Sequence, residues 1–191
     1  TTLFRSVGKG TFVSPPKINQ ELRELTSFSE DMRSQGKRPS SRVLRAEIHP
    51  AIDIVSKSLG IPLRSEVVIL QRARYADDKP IALETTYLNH ALFPGILQSH
   101  DFSNESLYEV LRVFYGMRIV WAEQSIEARL PEKIEREALE LGTHDPVLSL
   151  VRTTFNERDE PIEFVTSVYC GSRYQFKTTL WRSDSSREVR R

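Results

Sequence analysis

Runs of strand-forming residues, each followed by a turn and then by a second run, occur twice in the chain. The first pair of runs brackets Asp77, Asp78 and Pro80, and the second pair brackets a turn that opens with Asn156. β-Branched and aromatic residues between clusters of turn-forming residues are typical of β-hairpins. The predicted hairpin strands are 67–75 with 81–88, and 147–155 with 161–169.

Apolar residues at helical spacing predict short helices around these hairpins. Ser27 and Glu30 have the spacing of a capping box, and Gly116 and Gly142 follow two of the apolar repeats. Three further segments have the composition of strands. The predicted helices are 27–35, 52–59, 104–115 and one between Pro131 and Gly142, and the further strands are 42–48, 117–130 and 174–181.

The two predicted hairpins are similar in sequence. Leu70-Gln71-Arg72 matches Leu150-Val151-Arg152, and Pro80-Ile81 matches Pro161-Ile162. Either the chain contains a duplicated unit, or the match is only the spacing that any two hairpins share. In both cases, hairpins grouped with short helices favour an α+β fold with an antiparallel sheet and helices on one side of it.

Composition and charge exclude several classes of protein. No apolar run approaches the roughly 20 residues that a membrane helix needs, and the N-terminus has no apolar signal core. The net charge is +1, whereas a domain that holds DNA by itself is normally far more basic. Cys170 is the single cysteine, which excludes an internal disulfide and fits a reducing compartment. We therefore expect a cytoplasmic protein that contacts neither a membrane nor, through this segment, DNA.

Charged and hydroxyl side chains on the predicted hairpin strands allow two interpretations. Arg72 and Arg74 project from the same face of one strand, with Glu84 on its partner, and Glu163 and Tyr169 share a face of another strand. The first interpretation is a solvated face with cross-strand ion pairs. The second is a pocket in which paired guanidinium groups grip a phosphate or carboxylate, while the carboxylates and the tyrosine bind sugar hydroxyls or an amine.

Other chemistry is weakly represented in the sequence. The helix start near 104–108 carries Ser106, whose hydroxyl and neighbouring backbone N–H groups favour an anion. The four histidines show no metal-ligand spacing with one another or with Cys170. No glycine-rich phosphate loop or nucleophile elbow is present. We therefore expect no metal, no cofactor and no catalytic residues.

Several ordered segments resemble those of one known family. Gly8 to Val13 is similar to the last strand of the wing in a winged helix-turn-helix, and Arg72-Ala73-Arg74-Tyr75 with Ser106-Leu107-Tyr108 is similar to motifs of a ligand-binding domain. The matching segments are 8–13, 25–32, 38–41, 72–84, 106–108, 122–128 and 161–169, and they cover about residues 8–182. In this order and spacing they resemble the UTRA effector-binding domain of the HutC subfamily of GntR-type transcription regulators.

The resemblance implies a chorismate-lyase-like fold, a homodimer formed through this domain, and a small-molecule effector in a pocket lined by the sheet. In members that respond to amino-sugar phosphates, Ser29, Arg72 and the Ser106 region would hold the phosphate. Arg74, Glu84, Glu163 and Tyr169 would then read the sugar. The complete effector-binding set expected from the resemblance is Phe28, Ser29, Arg72, Arg74, Glu84, Ser106, Tyr108, Glu163 and Tyr169.

The resemblance also implies how the chain is organised. Residues 1–20 are expected to be a remnant of the wing and a linker, 21–182 the effector-binding domain, and 183–191 a polar, disordered tail. DNA would be bound only by a helix-turn-helix upstream of residue 8. A phosphorylated amino sugar is the expected effector, and urocanate or a fatty acid is the alternative. The alternative from another class is a chorismate-lyase-like enzyme, because the fold is shared.

Overall fold

The computed structural model describes residues 3–6, 10–13, 16–22 and 24–181. Short strands and helices alternate along it. The strands are β1 Leu3–Ser6, β2 Gly10–Val13, β3 Ile18–Glu21, β4 Pro39–Pro50, β5 Glu66–Ala76, β6 Lys79–Asn89, β7 Ile119–Arg129, β8 Val147–Asn156, β9 Pro161–Cys170 and β10 Tyr174–Lys177. The helices are α1 Phe28–Ser34, α2 Asp53–Ser58, α3 Ile96–Ser99, α4 Leu107–Phe114 and α5 Lys133–Leu139, with a 3-10 turn at His90–Leu92.

Six strands form one antiparallel sheet in the order β4-β5-β6-β9-β8-β7. Each predicted hairpin supplies two neighbouring strands, and β6 pairs with β9, where Thr85 lies opposite Thr166. The order helix, strand, helix, hairpin therefore occurs twice, as α1-β4-α2-β5-β6 and then as α4-β7-α5-β8-β9. This repetition supports the interpretation of a duplicated unit, and the predicted α+β class is confirmed.

Helices pack on both faces of the sheet, so the expectation of helices on one side is wrong. On one face, α2 packs Val55 against Val67, and α5 packs Leu139 against Leu83. On the other face, Leu111 of α4 lies in a cluster with Val68 and Leu70, which alternate along β5 with Val67. The signal was present in β5, where the four consecutive apolar residues 67–70 are all buried. Such a continuous run is typical of a strand covered on both sides.

The face that carries α1 and α4 has two separate apolar clusters. One surrounds α4 and comprises Val68, Leu70, Leu88, Phe93, Ile96, Phe102, Leu107, Val110, Leu111 and Ile162. The other surrounds α1 and comprises Ile18, Phe28, Met32, Ala76, Ile81, Ala82, Leu150, Tyr169 and Tyr174. Charged and hydroxyl side chains of β5, β6, β8 and β9 share this face of the sheet with both clusters.

The two ends of the domain are tied together by a parallel strand pair. β3 pairs with β10, with Ile18 opposite Tyr174. The Tyr174 hydroxyl donates a hydrogen bond of 2.9 Å to the Gln20 side chain, and its ring stacks on Tyr169 with centroids 4.4 Å apart. The sequence prediction was wrong here in two ways, because residues 18–21 are a strand instead of a linker and β10 ends at Lys177 instead of 181.

The N-terminal segment contains a small hairpin of its own. β1 and β2 pair antiparallel, with Leu3 opposite Val13, so a strand is present within the segment 8–13, where the resemblance predicts one. The polar tail predicted to be disordered, 183–191, lies outside the described residues. Along the described part of the chain, no helix is both long and apolar enough to cross a membrane.

Candidate functional site

A buried ion cluster lies on β5 and β6. Arg72 and Glu84 are directly opposite each other in the strand register, and Arg72 Nη2 donates to Glu84 Oε1 at 2.6 Å. Arg74 Nη1 approaches the same oxygen at 3.4 Å. The Arg74 guanidinium lies over the Phe28 ring at 4.5 Å from its centroid, and its Nη2 is 3.4 Å from the Ser29 hydroxyl. The N-terminal turn of α1 therefore covers this half of the cluster.

The second half of the site is organised by Glu163 on β9. Its Oε2 accepts hydrogen bonds from the Tyr108 hydroxyl at 2.9 Å and from the Thr154 hydroxyl at 2.7 Å. Neither of these bonds uses Oε1. Tyr108 is the second residue of α4, so this helix covers the second half of the site as α1 covers the first.

The arginines of the site have hydrogen-bond donors that no protein group accepts. Among the described residues, Arg72 Nε and Nη1, Arg74 Nε and Arg152 Nε are buried without a partner. Buried polar groups are nearly always hydrogen-bonded, and each unsatisfied donor costs about 1–3 kcal/mol. The lining also contains three guanidinium groups against two carboxyl groups, Glu84 and Glu163. Both the spare donors and the charge therefore favour an anion.

The electrostatics of the cluster keep Glu84 ionised. Burial by itself would raise the pKa of Glu84, but Arg74 and Arg72 outweigh it and hold that pKa at about 2. Burial, together with the charge of Arg72, lowers the pKa of Arg74 to about 10. Burial and then the nearby Glu163 raise the pKa of Tyr108, so its hydroxyl remains a donor at neutral pH.

The cavity between these groups is small and lies next to a larger groove. The inner cavity has a volume of about 20 Å³, which is room for about one water molecule. A neighbouring groove of about 470 Å³ shares Ser106 and Tyr108 with it and is lined further by Arg33, Arg112 and Arg118. The start of α4 therefore separates the inner cavity from the groove.

Seven of the nine predicted site residues line the inner cavity. These are Phe28, Arg72, Arg74, Glu84, Ser106, Tyr108 and Glu163. The other two lie directly behind it. Ser29 contacts Arg74, and Tyr169 belongs to the aromatic stack with Tyr174 and Phe176. The structure thus brings all nine to one region, and their role in binding an effector stays a prediction.

Sequence reasoning missed three polar residues of this site. Arg152 and Ser27 line the inner cavity, and Thr154 donates to Glu163. A signal for Arg152 was present, because Leu150-Val151-Arg152 matches Leu70-Gln71-Arg72. Within the described residues, no three His, Cys, Asp or Glu side chains are grouped so that they could hold a metal ion.

Comparison with known proteins identifies relatives for most of the chain. The model of the UTRA domain family matches residues 34–175. The HTH-type transcriptional repressor NagR of Bacillus subtilis is 34% identical over 91% of this chain and 71% of its own length. The mannosyl-D-glycerate transport/metabolism system repressor MngR of Escherichia coli is 28% identical, over 93% and 73%. The crystal structure of PhnF from Mycobacterium smegmatis has a TM-score of 0.83 at 27% identity, over 94% of this chain and 78% of PhnF.

Proposed function

The chain belongs to the UTRA domain family, the ligand-binding domains of GntR-type transcriptional repressors, and we propose that it senses a phosphorylated sugar in the cleft between α1 and α4. The family resemblance read from the sequence is thereby confirmed, as is the expectation of a regulator instead of an enzyme, since the relatives are named as repressors. The observation that carries the proposal is the set of buried guanidinium donors on Arg72, Arg74 and Arg152 that lack an acceptor.

A phosphate monoester fits these donors chemically. Its oxygens accept several charge-assisted hydrogen bonds at once, and a guanidinium matches them bidentately. Arg72 with its free Nε and Nη1, and Ser106 at the N-terminus of α4, are the proposed phosphate contacts. Ser29, behind Arg74, supports this end of the site.

The remaining polar groups of the cleft suit a sugar. Glu163 has Oε1 free of its bonds to Tyr108 and Thr154, and this oxygen is a suitable acceptor for a hydroxyl or an amine. Arg74, Glu84 and Tyr169 are the further proposed sugar contacts. A phosphorylated amino sugar is therefore the first candidate. The name of MngR, a repressor for a mannosyl-D-glycerate system, supports a sugar derivative as the general class.

The proposed output is control of DNA binding in the cytoplasm. The domain division in this proposal is 1–20 for the end of a wing and a linker, the last residues of which already form β3, 21–182 for the effector-binding domain, and 183–191 for a tail. A homodimer formed through the effector-binding domain would carry DNA-binding domains upstream. The effector acts only through its different affinities for the dimer states that bind and release DNA.

A thermal-shift screen of the purified chain tests this proposal. Phosphorylated sugars, the same sugars without phosphate, urocanate and fatty acids are compared on the wild type, on Arg72→Ala and on Arg42→Ala. Arg42 is an exposed arginine of the neighbouring β4, so it is a matched control for the lost charge. Effector at about 100 times its Kd stabilises the fold by about 2.7 kcal/mol.

The expected result is a rise in melting temperature with a sugar phosphate such as glucosamine 6-phosphate. This rise is retained in Arg42→Ala and lost in Arg72→Ala. A rise with urocanate or a fatty acid alone overturns the sugar-phosphate assignment, and an undiminished rise in Arg72→Ala overturns the site.

A further inference from the structure

Arg152 occupies the position in the second repeat that Arg72 occupies in the first. Both end a matching tripeptide on the first strand of a hairpin, Leu70-Gln71-Arg72 on β5 and Leu150-Val151-Arg152 on β8. Their cross-strand neighbours differ. Arg72 lies opposite Glu84, whereas Arg152 lies opposite Val165. The second repeat therefore keeps the arginine and lacks the carboxylate that neutralises its equivalent.

Within the described part of the chain, no carboxylate contacts Arg152 directly, and acidic groups act on it only at longer range: burial by itself would lower its pKa, but Tyr108 and then Glu163 raise it. Among the described residues, no Asp or Glu oxygen lies within 4.0 Å of its guanidinium nitrogens, and its Nε is buried without a hydrogen-bond partner. Its guanidinium carbon is 5.8 Å from the centre of the Tyr108 ring. Arg152 lines the inner cavity and also a groove beside β7, whose polar lining includes Gln124, Gln20, Glu21 and Glu24.

Arg152 approaches the cavity from the side opposite to Arg72 and Arg74. β6 and β9 lie between β5 and β8 in the sheet, so the two strands are three spacings apart, or roughly 14 Å. The carboxylates Glu84 and Glu163 stand on the two strands between them. The cleft therefore has a cationic group at each end and carboxylates in the middle.

We propose that Arg152 is a second anion-binding end of the cleft, so that the effector of this chain carries a carboxylate in addition to its phosphate. This inference rests on the proposed function and narrows it to phosphorylated sugar derivatives with an acidic group. A carboxylate pairs bidentately with a guanidinium and supplies the acceptor that Nε lacks. The inference allows an amine as well, since the carboxyl group of Glu163 stands on a strand between the two cationic ends.

Pairs of related ligands, in which one member carries a carboxylate that the other lacks, test the proposal. One pair is N-acetylmuramic acid 6-phosphate and N-acetylglucosamine 6-phosphate, and the other is 6-phosphogluconate and sorbitol 6-phosphate. The two pairs place the carboxylate at different distances from the phosphate. Their Kd values are measured by titration calorimetry on the full chain, on Arg152→Gln, on Arg152→Lys and on Arg72→Ala. Arg158→Gln, at an exposed position of the β8–β9 turn, controls for the loss of one positive charge.

The expected result is that the member of at least one pair that carries the carboxylate binds the wild type ten times more tightly than the member that lacks it, or better. Arg152→Gln removes this preference, Arg152→Lys keeps part of it, and Arg158→Gln keeps all of it. Equal binding of both members in both pairs overturns the proposal, and so does a preference that survives undiminished in Arg152→Gln. In either case, binding that depends on Arg72 leaves the proposed function standing, whereas failure of every sugar phosphate to bind overturns both.

Discussion

Ser27 and Ser106 each precede the first residue of a helix at equivalent places in the two repeats, but only Ser27 caps its own helix. The Ser27 hydroxyl accepts the backbone N–H of Glu30, and the Glu30 side chain accepts the Ser27 N–H in return. The Ser106 side chain makes no such bond to α4. The first turn of α4 and the buried Ser106 hydroxyl are therefore available to a ligand.

This difference predicts that alanine substitution affects stability at Ser27 and ligand binding at Ser106. Ser27→Ala removes a cap, so we expect the free energy of unfolding to fall by about 1 kcal/mol. Ser106→Ala removes no cap, so we expect stability to change by less than half of that amount and the Kd for a sugar phosphate to rise. Urea unfolding and calorimetry on both variants check the prediction. A loss of stability in Ser106→Ala as large as that in Ser27→Ala would contradict it.

Glu84 predicts a loss of stability at acid pH. Its pKa of about 2 lies below the ordinary value of 4.5, so the folded protein binds fewer protons than the unfolded chain between these values. The stabilisation is therefore complete above about pH 5 and is lost as the pH falls towards 2, by about 3 kcal/mol in total. Urea unfolding at several pH values measures this loss. Glu84→Gln, less stable at pH 7, should show a shallower dependence, and an equally steep one would show that other carboxylates cause it.

Loss of the Tyr108 hydroxyl group is expected to destabilise the protein and to weaken effector binding. Tyr108→Phe removes a donor to Glu163 and leaves Thr154 as the remaining hydroxyl donor to that oxygen. Because a buried carboxylate loses a hydrogen bond, we expect a destabilisation of about 1–3 kcal/mol. We also expect weaker effector binding. Tyr115→Phe is the control, since the Tyr115 hydroxyl donates to the Pro94 carbonyl away from the cleft.

The size of the inner cavity predicts where the protein responds to its effector. Binding pockets commonly measure about 300–1,000 Å³, whereas this cavity measures about 20 Å³ and is separated from the neighbouring groove by Ser106 and Tyr108, which line both. For the proposed sugar phosphate to enter this cavity, the first turns of α1 and α4 must therefore rearrange. We expect amide hydrogen exchange there to change on saturation with effector, while α2 and α5 on the opposite face keep their rates. Equal changes on both faces would argue against a ligand in this cleft.

Local patterns predicted the elements that carry the site. The turn of the first hairpin falls at Asp77 and Asp78, both with positive φ, and aspartate is among the residues that tolerate this conformation. The period of two along a strand put Arg72 and Arg74 on one face. The solvated-face interpretation is excluded for these two, because both side chains are almost fully buried, with exposures of 2% and 3%.

Features that depend on distant parts of the chain were not predictable in this way. β3 pairs with β10 more than 150 residues later, and three of its four positions are polar, including the buried Gln20. The absence of a carboxylate beside Arg152 depends on the strand register, which places Val165 opposite it. The differing use of Ser27 and Ser106 depends on side-chain rotamers that one sequence does not specify.

The parallel pair β3–β10 connects Tyr169, next to the inner cavity, to the N-terminal part of the chain in two steps. Tyr169 stacks on Tyr174, and Tyr174 holds Gln20 on the strand that follows the N-terminal hairpin. A ligand that slightly displaces the Tyr169 ring therefore strains two buried contacts together, the ring stack of Tyr169 on Tyr174 and the hydrogen bond from Tyr174 to Gln20. We expect β3 to slide along β10 in response. The chain that precedes β3 would then change its angle to the six-stranded sheet, which stays rigid.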